Sequence, residues 1–372
     1  ALFKSLCGGE AGRRDGRGRK IPSECKWKEL FCMPEEKSIC PPFIRHGEKS
    51  RTVMLDVLLA LLPALIWSIY IFGARAAVLC AVGIAFAVAA EFCCDLIARQ
   101  RRSVVDFSAA VTGLLIAFGL PVTAPLWMPA LLSVFAIVFV KKLCGGIGRN
   151  MFNPAAAALC LAHTVFPETM EKFTRPFAYF SSYILKPTEA SIATARVNTA
   201  LDKLADGSVD IPNLWNEFYG ISAGKLGEIS VLMLLLGYLY LAFRKNIKPL
   251  PPLLYVATVF IVTFFFANGD SEPIYFALMH IFTGSVFLSA IFMCSDYTTT
   301  PYTKLGGAVF AVGSALLTVL LRYFGDYGAS AYFAILLMNA LTPVIEKYTL
   351  TMPFGRAGMA VKKKHRKGGA RG

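Results

Sequence analysis

Three stretches of this chain place reactive or coordinating groups among the small residues that leave them accessible. Residues 181–195, SSYILKPTEASIATA, end in a run where Ser191 and Thr194, with Ala193 beside them, put hydroxyls on an uncrowded loop open to covalent attachment. Ser191 can equally serve as the N-cap of a following helix. Residues 145–155, GGIGRNMFNPA, join a backbone freed by Gly145, Gly146 and Gly148 to a helix start at Pro154. The N-terminal end of that helix carries partial positive charge and suits a polar or anionic ligand. The carboxamides of Asn150 and Asn153 can serve the donor and acceptor edge of such a ligand, or simply satisfy backbone groups freed at a helix break. The third stretch has Asp296 followed by Thr298, Thr299 and Thr300, an oxygen set able to coordinate a cation, and Asp106 stands beside small residues in a similar setting.

The elements that position these groups are read from composition. At 56% hydrophobic, 17% charged and a mean hydropathy of +0.55, the 372 residues exceed what a soluble globular chain shows. The chain is expected to be an all-α polytopic membrane protein. Apolar runs long enough for ~30 Å of hydrocarbon fall at 52–73, 76–98, 104–121, 126–143, 151–166, 228–243, 250–267, 274–293, 305–323 and 329–348, about ten transmembrane helices. The fifth is short, opens on Asn153-Pro154 and ends at Pro167, as a half-helix would.

Basic residues orient these spans. With the N-terminus inside, 30 of the 38 Lys and Arg fall in the N-terminal segment, the inner loops and the C-terminal tail, leaving 8 outside. The 167–226 loop, with Thr194, then faces away from the cytoplasm, and both termini are cytoplasmic. The net charge of +14 reads as topology and contact with anionic headgroups rather than nucleic-acid binding. The expected organisation is a cytoplasmic extension at 1–50, five spans at 51–166, the external loop at 167–226, five spans at 227–348 and a basic cytoplasmic tail at 349–372.

Two punctuation marks recur between the halves. VTGLLIAFGLPVTAP (111–125) resembles FTGSVFLSAIFMCSDYTTTP (282–301), and Asn150-Met-Phe-Asn-Pro154 resembles Asn339-Ala-Leu-Thr-Pro343. A repeat of five spans is odd, so the second copy must run through the membrane in the opposite sense, which puts a functional site between the halves near the midplane.

RTVMLDVLLALLPAL (51–65), DFSAAVTGLLIAFGLP (106–121), CGGIGRNMFNPAAAA (144–158) and FMCSDYTTTPYTKLG (292–306), in this order, resemble the RnfD and NqrB membrane subunits of ion-translocating oxidoreductases. The lead-in CPPFIRHGEKS (40–50) and DFSAAVTGLL are more similar to RnfD than to NqrB. The resemblance implies an inverted repeat of two five-helix bundles, similar to urea transporters. It also implies FMN joined through its phosphate to a Thr at the end of D-x-x-[S/T]-[G/S]-A-T, installed by a flavin transferase. Ser191, Ala193 and the acceptor Thr194 match that pattern; Thr188 replaces the acidic residue and Ile192 a small one. By the same resemblance Asn150 and Asn153, with Gly145 and Gly146, hold a non-covalent riboflavin. The partners implied are the other membrane and peripheral subunits of an Rnf-type complex, including a second flavinylated subunit and iron–sulfur subunits. The implied setting is a prokaryotic inner membrane, and the coupled ion is Na+ or H+.

Asp296 and Asp106 are the carboxylates expected on an ion pathway, because ionisable groups at membrane depth are functional by default. Asp56, Asp95, Glu91 and His280 read as helix-cap, interface or buried hydrogen-bonded groups. Ten cysteines give no metal signature: Cys7, Cys25, Cys32 and Cys40 lie 18, 7 and 8 apart, and Cys93 and Cys94 are adjacent within a span. The N-terminal extension has no apolar core of the kind a signal peptide needs. The sequence carries no Walker A motif, dinucleotide-binding fingerprint or haem-binding pattern. Two other readings stand beside the electron-carrying one: an NqrB-type subunit that passes electrons to quinone, and a urea-transporter-like solute channel without cofactor.

Overall fold

The computed structural model describes residues 50–98, 106–143, 150–177, 199, 213–267, 272–325 and 328–349. The chain divides into two compact units, residues 1–47 and 48–372, and every described residue belongs to the second. Gly145, Gly146, Gly148, Ser191, Ala193 and Thr194 lie outside the described residues, as do the N-terminal extension with its four cysteines and the basic tail.

Each of the ten apolar intervals holds a helix. The first five hold α1 (Ser50–Phe72), α2 (Ala74–Ala98), α3 (Ser108–Phe118), α4 (Trp127–Phe135) continued by the π-helical π1 (Ala136–Lys142), and α5 (Pro154–Val165). Short helices α6 (Pro167–Met170) and α7 (Leu214–Tyr219) follow. The last five intervals hold α8 (Val231–Phe243), α9 (Leu250–Phe265), α10 (Pro273–Phe282) with α11 (Val286–Leu288) and π2 (Ser289–Met293), α12 (Lys304–Phe324), and α13 (Ser330–Thr349). Among the described residues α1, α2 and α12 are long and apolar enough to cross a membrane, and α10 with α11–π2 makes a fourth as one span bent by 60°. The other apolar helices are shorter, for reasons written in their ends. α3 stops where Gly119 donates to Leu115 O (3.2 Å) and Ile116 O (3.1 Å) ahead of Pro121. At 12 residues, α5 extends about 18 Å, half a crossing. α8 starts only after Ser230, whose Oγ accepts from Met233 N at 3.3 Å.

Helix ends buried inside the protein need partners for their carbonyls. Those after α3 are served by Gly227 N to Phe118 O (2.9 Å), Leu226 N to Leu120 O (3.0 Å), and the buried guanidinium of Arg75, which donates to Val122 O and Ala124 O at 2.7 Å. At the break in α10 the matching service comes from Arg322, which donates to His280 O (2.6 Å) and Thr283 O (3.1 Å). Gly284, at φ 70°, makes that sharp turn possible.

Packing between helices relies on small residues, as it does where water supplies no drive for association. α2 crosses α3 at Gly83 and Gly113, where a Cβ on either would meet the other's carbonyl oxygen at 2.8 or 2.5 Å. α1 packs on α8 and α5 on α13; α2 packs on α3 and α4 as α9 packs on α10 and α12.

Candidate functional site

Two cavities lie at opposite ends of α5, one beside the break between α10 and α11 and the other at the far end of π2. The first, about 90 Å³, surrounds the N-terminus of α5. Pro154 and Asn153 start that helix: Asn153 Oδ1 accepts from Ala155 N (3.0 Å) and Ala156 N (3.2 Å), an N-cap buried in the protein. Its Nδ2 donates to Asp296 Oδ2 at 3.5 Å, across 143 residues of sequence. Asp296 also accepts from Thr298 N (3.1 Å), Thr298 Oγ1 (2.9 Å) and Thr299 Oγ1 (3.5 Å), while Thr300 Oγ1 donates to its carbonyl oxygen (2.6 Å). Loss of water around the Asp296 carboxyl raises it above the usual carboxylate range, against the pull of the Thr298 and Thr299 hydrogen bonds. Among the described residues it has no ion-pair partner. Asn150 Oδ1, buried in the same wall, accepts no hydrogen bond among the described residues, so it is the acceptor left for a ligand.

The same cavity is lined by Lys141, at the end of π1, a helix form that recurs at functional sites. Its Nζ donates to Glu91 Oε1 and Ser108 Oγ, both at 2.6 Å, and Asp106 adds negative charge nearby. Lys142 hydrogen-bonds Asp95. The structure therefore joins Asn150, Asn153 and Asp296 in one wall, with Asp106 beside its lysine. The sequence reading missed Lys141 as part of a site, counting it only among the basic residues of the inner loops. The signal was there: Glu91 and Asp95 stand four apart on α2, two carboxylates that require cations. Asp56 plays another part, taking hydrogen bonds from Tyr240 Oη (2.9 Å), Arg244 Nε (3.2 Å) and Asn246 Nδ2 (2.7 Å), a clasp between α1 and the end of α8.

The second cavity, about 290 Å³, is lined by His163 at the other end of α5, by Thr283 at the break in α10, and by Thr199, Glu217, Lys225 and Glu228. Lys225 Nζ donates to Gly328 O (2.6 Å), lies 3.7 Å from Glu228 Oε1 and sits 5.1 Å from the centre of the Tyr332 ring. Tyr332 Oη donates to the same Glu228 oxygen. None of these residues was singled out from sequence as part of a site: Lys225 lies in the 167–226 loop and Glu228 at the start of the next apolar run, far in sequence from Tyr332 and Gly328. Asn153 and His163 are ten residues apart on α5, so the cavities are separated by about 15 Å.

Cavity size separates what each can hold. Ligand pockets for drug-sized molecules run from ~300 to ~1,000 Å³. The cavity beside Lys225 reaches the lower end of that range, which fits a flavin ring. The one beside Asp296, as the described residues enclose it, is far smaller and has already committed Asn153 Oδ1 to the helix cap; it fits water or a small cation, not a tricyclic ring.

Residues 38–355 match the model of the NQR2, RnfD, RnfE family. Among similar proteins, the D subunit of the Na(+)-translocating ferredoxin:NAD(+) oxidoreductase complex of Acetobacterium woodii is 36% identical over 84% of this chain and 93% of its own length. The D subunit of the proton-translocating ferredoxin:NAD(+) oxidoreductase complex of Clostridium ljungdahlii is 33% identical over 84% and 94%. The D subunit of the ion-translocating oxidoreductase complex of Stutzerimonas stutzeri is 33% identical over 82% and 92%.

Proposed function

The chain belongs to the NQR2, RnfD, RnfE family, and from that premise we propose that it is the multi-pass D subunit of an ion-translocating ferredoxin:NAD+ oxidoreductase complex, passing electrons between the two faces of the bilayer. The observation that carries this reading is the pair of cavities at opposite ends of α5 and of the α11–π2 segment. One lies within reach of Thr194: Thr199 lines it, and five residues of extended chain span up to about 17 Å. FMN linked to Thr194 supplies one- or two-electron transfer when bound. Lys225, held by Glu228 and stacked on Tyr332, gives this cavity a fixed positive charge on a wall otherwise rich in carboxylates. Complex partners, among them a second flavinylated subunit and iron–sulfur subunits, deliver and remove the electrons.

At the other end Asp296 and Asn150 form the entry for the coupled ion, Na+ or H+. A riboflavin held by Asn150 and Asn153 belongs to this reading only if residues 144–149 widen the cavity. Two similar relatives belong to complexes named for different ions, Na+ and protons, at nearly equal identity to this chain, so the reading keeps both ions.

The ten helices read as an inverted repeat. In support, exchanging the first five for the last five maps the α1–α8 and α5–α13 contacts onto themselves, and carries α2 with α3 and α4 onto α9 with α10 and α12. The orientation, termini in the cytoplasm and the 167–226 loop outside a prokaryotic inner membrane, gains support from burial. Arg75, Lys225 and Arg322, three of the eight outer basic residues, are buried in polar contacts, which sharpens the charge asymmetry of the exposed loops.

In-gel fluorescence of the denatured protein, co-produced with its flavin transferase, tests the flavin. A fluorescent band that Thr194→Val abolishes is expected. A dark wild-type band would mean that Thr188 and Ile192 have silenced the attachment, leaving the membrane subunit without covalent FMN.

A further inference from the structure

Asn339 stands in the middle of α13, nine residues after Ser330 and ten before Thr349, about 14 Å from either end of the helix. It is fully buried, and among the described residues neither Oδ1 nor Nδ2 has a hydrogen-bond partner. Four residues on is Pro343, inside the same helix, which has no N–H to return to the Asn339 carbonyl. One buried position thus gathers a carboxamide oxygen and nitrogen that the described residues leave unmet, beside a main-chain carbonyl that loses its i+4 donor to Pro343. Native interiors rarely leave such groups unmet without an unseen water or ion.

The neighbours give this position a direction. Tyr332, Asn339 and Thr342 are spaced seven and three apart, which puts them along one stripe of α13. Tyr332 hydrogen-bonds Glu228 in the wall of the larger cavity. Thr342 Oγ1 donates to Thr299 O (3.2 Å), and Thr299 Oγ1 in turn reaches Asp296 in the wall of the smaller one. On α12 a further buried hydroxyl without a partner, Ser314 Oγ, follows Gly313, which faces Met338, the residue before Asn339. The stripe reaches the seam between the two halves at Tyr332, whose ring centre lies 6.2 Å from that of His163 on α5.

We propose that Asn339 is a mid-membrane binding point for a small monovalent cation, Na+ or hydronium, moving between the cavity at Asp296 and the cavity at Glu228, with the Asn339 side-chain and main-chain oxygens as its ligands. This rests on the reading of the chain as an ion-translocating subunit. Backbone carbonyl oxygens without a helical partner are among the groups that coordinate Na+ in secondary transporters. An uncharged amide also meets the demand of transit, which needs binding strong enough to admit an ion and weak enough to release it. A carboxylate at this depth would hold a cation rather than pass it.

The test uses the intact complex in inverted membrane vesicles energised with reduced ferredoxin and NAD+. Uptake of radioactive sodium and proton uptake reported by a pH-sensitive dye are followed separately, which tells the two cations apart. Asn339→Leu is expected to assemble, to melt no lower than wild type because it removes the unmet groups, and to cut ion uptake at least tenfold. Asn339→Ser, which keeps an oxygen, is expected to retain at least a third of it. If the Leu complex does not assemble, Asn339→Val stands in with the same outcomes. A Leu or Val complex that transports like wild type overturns the proposal, as does an assembled Ser complex that transports no better than the Leu one. A wild-type complex that oxidises ferredoxin yet moves neither ion overturns the translocating reading itself, and this inference with it.

Discussion

Lys141 Nζ lies 2.6 Å from Glu91 Oε1, an ion pair closed over 50 residues of sequence with both side chains almost entirely out of solvent. Such a pair ties the start of the inner cavity to α2, and its members cannot be removed alone at low cost. Breaking a buried pair costs about 3–5 kcal/mol, whereas replacing both partners with apolar groups of similar size is often neutral. Glu91 also has Lys142 at 3.6 Å, so it keeps a cation when Lys141 goes. Lys141 without Glu91 keeps only Ser108 and the more distant Asp106. Thermal unfolding of the detergent-solubilised protein is therefore expected to rank Glu91→Leu below Lys141→Met, with the double variant above both. A double variant as unstable as the two losses added would disprove this account of the pair.

The glycines at the α2–α3 crossing make a second prediction. An added methyl on Gly113 would stand 2.5 Å from the Gly83 carbonyl oxygen, and backbone has no flexible end to swing aside. Gly113→Ala is expected to push the helices apart and cost about 1–3 kcal/mol. Gly307→Ala is the control, since its nearest neighbour, Pro251 Cγ, would be at an ordinary 3.7 Å. There the gain in helix propensity, up to about 1 kcal/mol, is expected to leave the melting temperature unchanged or raised. Equal melting temperatures for the two variants would contradict the close approach.

Arg322 holds two carbonyls at the break in α10 through separate nitrogens and a third partner, Ser330 Oγ, at 3.3 Å. Lysine keeps the charge but cannot reproduce that fork. Arg322→Lys is expected to destabilise by about 2 kcal/mol, the cost of one or two buried groups left unmet, and to loosen the bend between α10 and α11. Slowed hydrogen exchange would be the wrong sign; faster exchange at residues 283–286 is the expected readout.

Much of the architecture was legible because hydrophobic length and helix punctuation are local properties. Asn153-Pro154 announced both the start and the shortness of α5, and Pro121 the end of α3. What was not legible depends on residues brought together from afar. In sequence Lys141 enters only the charge balance because its partner Glu91 is 50 residues away, and Lys225 is not singled out because Tyr332 and Gly328 cover it only in the folded chain. Asn153 shows the converse: its place at a helix start was plain in sequence, but only the hydrogen bonds to Ala155 and Ala156 reveal that its oxygen is spent on the cap. The Asp296 corner was found for its oxygens, yet Thr298 and Thr299 donate their hydroxyl protons to the carboxylate, so Asn150 is the acceptor that faces the cavity unmet.

The pH dependence of Asp296 follows from the direction of its shift. Its carboxyl is raised in the folded protein because surrounding groups strip water from the charged form. Well below the unfolded value, near 3.8, the group is protonated whether the chain is folded or not, and it contributes nothing to a pH dependence. As the pH rises through the interval between the unfolded and the raised folded value, the unfolded chain releases the proton first, so the folded state loses stability relative to it. Asp296→Asn, which cannot ionise, escapes that loss. The variant is expected to match wild type in melting temperature at pH 3 and to exceed it at pH 7, while losing the cation that the carboxylate attracts into the cavity with Asn150. The opposite order at pH 7 would mean that Thr298 and Thr299 stabilise the ionised form more than burial penalises it.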